Sequence, residues 1–121
     1  MANVLIVDDS ATMRKIISRS LRQAGLMIDE VFDAGDGFEG LNVIASGKSI
    51  DLILSDINMP NMDGLEFVKE LRGRGCSVPV VMITTEGGEA VIEEAMSNGA
   101  NGSIKKPFTP EQLLGVLGAF I

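Results

Sequence analysis

Three aspartates, two threonines and two lysines stand where short apolar runs end. Asp8 and Asp9 follow Val4-Leu5-Ile6-Val7, and Asp56 follows Leu52-Ile53-Leu54 and one serine. Thr84 and Thr85 follow Val80 to Ile83, and Lys105 and Lys106 follow Ile104. If the runs are parallel strands of one open sheet, their carboxyl ends share an edge, and ligands of such sheets bind there. Carboxylates so close repel one another, and partial burial strengthens the repulsion, so the cluster invites a cation. Oxygen ligands with room left for water suit Mg2+, or Mn2+, better than zinc or copper. A cation held by Asp9 and Asp56 would screen those charges against an incoming phosphate. One Asp56 oxygen could then attack phosphorus in line, with Lys106 and Thr84 meeting charge on the equatorial oxygens. A carboxylate nucleophile has no proton to lose, so this chemistry requires no general base.

Composition narrows the field. The chain has no histidine, which excludes Ser-His and Cys-His nucleophile pairs and argues against a zinc site; the phosphoryl donor must also be another molecule. The lone Cys76 lies among Gly73, Arg74, Gly75 and Ser77, a loop with no base at hand, and reads as an ordinary thiol. Seventeen acidic against 10 basic side chains leave a net charge of −7, which repels nucleic acid and anionic membrane. The apolar runs are far shorter than a membrane span and the start has no secretion signal, so a cytoplasmic location is the default expectation.

The positioning elements follow from periodicity. Apolar strands alternate with amphipathic stretches, the signature of βαβ units. A helix from about Thr12 is expected to bury Met13, Ile16, Ile17, Leu21 and Ala24 and to end at Gly25. The second strand spans about Ile28 to Phe32. Further helices carry Phe38, Leu41, Ile44 and Ala45, then Leu65, Val68 and Leu71, then Val91, Ile92, Ala95 and Met96. The last opens with Thr109 as cap, Pro110 in its first turn and Gln112 closing a capping box. The first, third and fourth strands are apolar throughout and belong in the middle; the second and fifth are mixed and belong at the edges. The expectation is an α/β, flavodoxin-like (βα)5 three-layer sandwich with parallel order 2-1-3-4-5, one domain over residues 1–121. The stretch 115–121 is read as core packing with a frayed end.

Singly, each polar residue has a plainer role, since aspartates cap helices and lysines are usually solvated. Together, Leu5-Ile6-Val7-Asp8-Asp9-Ser10, the run from Ser55 to Gly64, Met82-Ile83-Thr84-Thr85 and Lys105-Lys106-Pro107-Phe108 resemble the response-regulator receiver family of two-component signalling. The stretch Asp8 to Arg14 is most similar to the stand-alone CheY-type chemotaxis regulators. The resemblance implies that Asp56 is the phosphoacceptor and that Asp9, Asp56 and the Asn58 backbone carbonyl hold Mg2+, with Asp8 acting through water. It also implies Thr84 and Thr85 as switch residues, Lys106 against the phosphoryl group, a cis Lys106-Pro107 peptide, and Asn58 with Glu86 as tuners of dephosphorylation. Implied partners are a sensor histidine kinase as donor and a downstream protein, such as a flagellar motor switch. The protein would be a monomeric signal carrier rather than an enzyme, with no output domain attached and neither nucleic acid nor membrane as partner.

Three other readings compete. A regulator of the same kind could serve a phosphorelay outside chemotaxis, and a domain of this fold could be an interaction module that is never phosphorylated. A phosphatase with a nucleophilic aspartate would want a second aspartate two residues on, where Asn58 stands. The chain departs from the family at Ser103, where Tyr or Phe is usual and rotates inward as the threonine moves; serine cannot fill that space. Coupling is therefore expected to run through the backbone after Thr84. If so, Ser103→Tyr leaves the ratio of target binding by phosphorylated and unmodified protein within about twofold of the parent in titration calorimetry, since one hydroxyl-to-aromatic change outside a coupled network adds little; a large gain would assign the readout to the aromatic.

Overall fold

The computed structural model describes residues 2–85 and 88–121. Five strands, β1 (Ala2–Val7), β2 (Ile28–Ala34), β3 (Leu52–Asp56), β4 (Val80–Thr84) and β5 (Gly102–Lys105), form one sheet in the order β2-β1-β3-β4-β5. All pairings are parallel. The helices α1 (Ala11–Gln23), α2 (Gly37–Ala45), α3 (Gly64–Gly73), α4 (Glu89–Ser97) and α5 (Pro110–Leu117) fill the connections. The expected fold and strand order hold.

Strand alternation divides the core in two. Val4, Ile6, Leu52, Leu54, Val81, Ile83 and Ile104 point to the side covered by Ile17 and Leu21 of α1 and Leu113 and Leu117 of α5. Leu5, Val7, Ile53, Val80 and Met82 point to the side covered by α2, α3 and α4, where Phe67, Val68 and Leu71 are fully buried. Each such side chain contributes roughly 1.5–3 kcal/mol by leaving water. A one-residue slip of any central strand would exchange the two faces, so the core itself fixes the register.

The helices bury narrower stripes than the apolar spacing suggests. Ile17 and Leu21 are buried as expected, but Ile16 is 44% exposed, because it lies about 100° around the helix from Ile17 and faces out. Phe38, Val91 and Met96 are likewise exposed, whereas Leu41 and Ala95 go inside. In the last stretch Leu117 is buried and Phe120 packs on the core, while Leu114 and Ile121 remain exposed.

Helix ends follow local chemistry. Ser10, Asp36, Asp63 and Thr109 each accept a backbone N–H from the first turn of the helix they precede, and Thr109 with Gln112 completes the expected capping box. Gly25, with φ of +81°, closes α1 in the left-handed region. Asp36 accepts from the Glu39 backbone and from the Asn61 side chain, and these donors hold its carboxyl below the usual carboxylate range.

Gly64 begins α3 against the end of β3. Its N–H donates to the Ile57 carbonyl at 2.7 Å, and a Cβ placed there would run into the Asp56 carbonyl oxygen and lie 2.9 Å from the Ile57 Cα. The Met82 side-chain end could move aside, but the two backbone contacts cannot yield as a side chain would. Gly64→Ala should therefore cost about 2–3 kcal/mol in urea unfolding, since overpacking forces the backbone to move; a loss below about 0.5 kcal/mol would show that α3 shifts freely from β3.

Candidate functional site

Register assembles the site. Val7 pairs with Ser55, so Asp8 stands beside Asp56; Asp56 pairs with Ile83, and Thr84 with Lys105. Three connections hold the end of β1. The Asp8 N–H donates to the Ala34 carbonyl at 3.0 Å, Asp8 Oδ1 accepts from the Ser10 N–H at 2.9 Å, and Arg14 donates to the Asp8 carbonyl at 2.6 Å. Arg14 also pairs with Asp33 at 2.9 Å, bracing the ends of β1 and β2. Ser10 rather than Asp9 caps α1, which leaves the exposed Asp9 at the rim.

One ligand atom from each of Asp8, Asp9 and Asp56 lies within 4.8 Å of the other two. Asp8 is buried, with 2% exposure, and Lys106 meets it: Lys106 Nζ is 3.3 Å from Asp8 Oδ2 and 3.7 Å from Asp56 Oδ2. The other Asp56 oxygen accepts the Ile57 N–H at 2.8 Å. Burial raises the Asp56 carboxyl above its ordinary range; Lys106 opposes that shift, and the charges of Asp8 and Asp9 add to it. All the donors are hard oxygens and two carboxylates remain partly open to water, so the set fits a hard divalent cation. A cavity of about 490 Å3, lined by Ala2, Met27, Leu114 and Phe120 among others, lies at the start of β1 and the end of α5, away from this cluster. The chemistry sits on an open rim.

Of the residues singled out by sequence, Asp8, Asp9, Asp56 and Lys106 come together. Thr84 is buried at the end of β4, and the Lys106 N–H donates to its carbonyl at 2.6 Å. Thr85, Lys105 and Asn58 are exposed, and Glu86 lies outside the described residues. Ser103 is half-buried on β5 opposite Met82. The Lys106-Pro107 peptide is cis. Arg14, Asp36 and Asn61 also build the surroundings and were not assigned by sequence. Asp36 had a legible signal, an aspartate three residues before a glutamate at a helix start; Asn61 has only its left-handed φ of 67°.

Because its folded-state value is raised, Asp56 lends the fold stability that is complete below the unfolded carboxylate range and disappears as pH rises through the folded one. At neutral pH its ionised form is a cost. In EDTA, Asp56→Asn should accordingly unfold at higher urea than the parent at pH 7, the gap closing near pH 3.5; a variant less stable than the parent at pH 7 would mean that the Lys106 contact outweighs desolvation.

Residues 4–117 match the response regulator receiver domain. The chain is 41% identical to a chemotaxis protein CheY homologue of Campylobacter jejuni, over 95% of this chain and 92% of that one. It is also 41% identical to chemotaxis protein CheY1 of Helicobacter pylori, over 91% and 89%. The solved structure of chemotaxis protein CheY4 of Vibrio cholerae superposes with a TM-score of 0.86 at 42% identity, covering 100% of this chain and 99% of that one. An acidic rim at the carboxyl ends of β1 and β3, a lysine reaching into it from just past β5 and similarity along nearly the whole length agree: the chain belongs to the response regulator receiver domain family, among its CheY-like chemotaxis regulators.

Proposed function

We propose that residues 1–121 act as one receiver domain that takes a phosphoryl group from a sensor histidine kinase onto Asp56 and passes on the signal as a change of shape. The observation that carries this reading is the gathering of the Asp8, Asp9 and Asp56 oxygens within 4.8 Å, with the Lys106 ammonium 3.7 Å from Asp56. Asp9, the Asp56 side chain and the Asn58 backbone carbonyl would hold Mg2+, with Asp8 contributing through water. When bound, the ion neutralises charge on the phosphoryl oxygens and on the facing carboxylates. Asp56 Oδ2 attacks phosphorus; the P–N bond of the donor phosphohistidine breaks, and its electron pair leaves with the imidazole. Ile57 holds Oδ1 through its N–H and so orients the attacking carboxylate. Lys106 already faces Asp8 and Asp56 and is placed to meet the transferred oxygens. The Thr84 hydroxyl, one strand over from Asp56, turns to a phosphoryl oxygen, and Thr85 follows it.

The added charge favours whichever backbone state presents more donors to it. The responding surface is α4, β5 and α5, with a flagellar motor component or another protein as target and the cytoplasm as compartment. Asn58 and Glu86 govern access of water to the acyl phosphate. The protein works as a monomer and as a switch rather than a turnover enzyme. Among the described residues no helix is long and apolar enough to cross a membrane.

Incubation with Mg2+ and acetyl phosphate followed by intact mass tests the chemistry. The expected outcome is a gain of one phosphoryl group, abolished by EDTA and by Asp56→Asn, and slowed at least about tenfold by Lys106→Ala because a charge-stabilising contact made in the transition state is lost. No gain would leave an interaction module, and continuous phosphate release from many esters would mark a phosphatase.

A further inference from the structure

In the proposed magnesium site the loop from Asp56 to α3 presents a backbone carbonyl, at Asn58, to the cation. Its near end is fixed where the Gly64 N–H meets the Ile57 carbonyl at 2.7 Å. Its far end is fixed from another part of the chain. The Asn61 side-chain amide donates to Asp36 Oδ2 at 2.8 Å, and the Gly37 N–H donates to the Met62 carbonyl at 3.3 Å. Asp36 has little freedom, being 8% exposed with its other oxygen taken by the Glu39 N–H at 2.9 Å as the cap of α2. Asn61 adopts φ of 67°, a conformation that asparagine tolerates better than most residues. Only Asn58, Met59 and Pro60 lie between the two anchors, and Met59 packs on the core while Pro60 has a fixed φ.

We propose that Asp36 and Asn61 form a latch that positions the Asn58 carbonyl for the cation, so that the N-terminus of α2 sets magnesium affinity without contributing a ligand. The proposal rests on the magnesium site described above. Its physical basis is ordering: a loop held at both ends loses less freedom when the ion binds, and freezing even one backbone residue has a free-energy cost equivalent to about a tenfold change in affinity. Asp36 and Asn61 are positioning residues.

Magnesium titration calorimetry of the full chain, with urea midpoints measured in EDTA alongside, tests it. Asn61→Gly removes the amide but suits the left-handed backbone, so magnesium binding should weaken about five- to tenfold. Asn61→Asp sets two carboxylates face to face and should weaken it further. The double variant Asp36→Asn/Asn61→Asp exchanges donor and acceptor while keeping a capping oxygen for Glu39, and should return to within about twofold of the parent. Unchanged affinity in Asn61→Gly, whether or not its urea midpoint falls, would overturn the latch and leave the metal site standing, as would failure of the double variant to recover. A parent that binds no magnesium, like an Asp9→Asn control, would overturn both.

Discussion

Like charges crowded at the rim of a dry sheet govern this molecule. Asp8 is nearly inaccessible to water, Asp56 is largely buried, and their shared neighbour Lys106 lies 3.3 Å and 3.7 Å from them. One ammonium facing two of the three clustered carboxylates leaves a local excess of negative charge, and burial makes that excess worse than it would be in water. The arrangement persists because the cores above and below the sheet hold the strand ends together regardless. Buried Val, Leu and Ile side chains on both faces favour the register by far more than the rim opposes it. The proposed affinity for a cation is the complement of that tension, since a bound cation relieves charge that the fold cannot disperse.

The same register serves core and site, which is why the two cannot vary independently. Ile6 beside Leu54 and Leu54 beside Val81 bury apolar neighbours and, two residues on, the same register sets Asp8 beside Asp56 and Asp56 beside Ile83, one residue before Thr84. What the sheet does not fix, side chains do. Arg14 ties the end of β1 to β2, Gly64 lets α3 start against the backbone of Asp56, and Asp36 reaches from α2 to Asn61. Each connection runs from a helix or its cap to a strand end or to the loop after β3, so the rim is braced from its surroundings.

Much of this was legible in the residues. Apolar runs too continuous to be edge strands identified β1, β3 and β4 as central, and that order alone brings Asp8, Asp9, Asp56 and Lys106 together. The cap and first turn of α5 were readable because capping is a local code. Exposure of Ile16, Phe38, Val91 and Met96 was not, because an apolar residue at helical spacing can border the buried stripe as easily as fill it. The Asp36–Asn61 contact was hidden for a different reason. It joins residues 25 apart through a left-handed turn, and neither partner belongs to an apolar pattern.

Ser103 bears on how a signal would leave the site. In the proposed switch, a phosphoryl group on Asp56 draws Lys106 away from Asp8 and the Thr84 hydroxyl toward itself. Thr84 ends β4 and Lys106 directly follows β5, and the two are already joined, for the Lys106 N–H donates to the Thr84 carbonyl at 2.6 Å. Thr84 also pairs in register with Lys105. On that proposal, displacement of the end of β4 would reach the end of β5 through main-chain atoms. β5 in turn lies against α5, with Ile104 packed in the same core as Leu113 and Leu117. A serine in the middle of β5 interrupts none of these connections, because its side chain takes no part in them. An aromatic at that place would add a second route, through a rotating ring. The proposed route through the backbone does not depend on it.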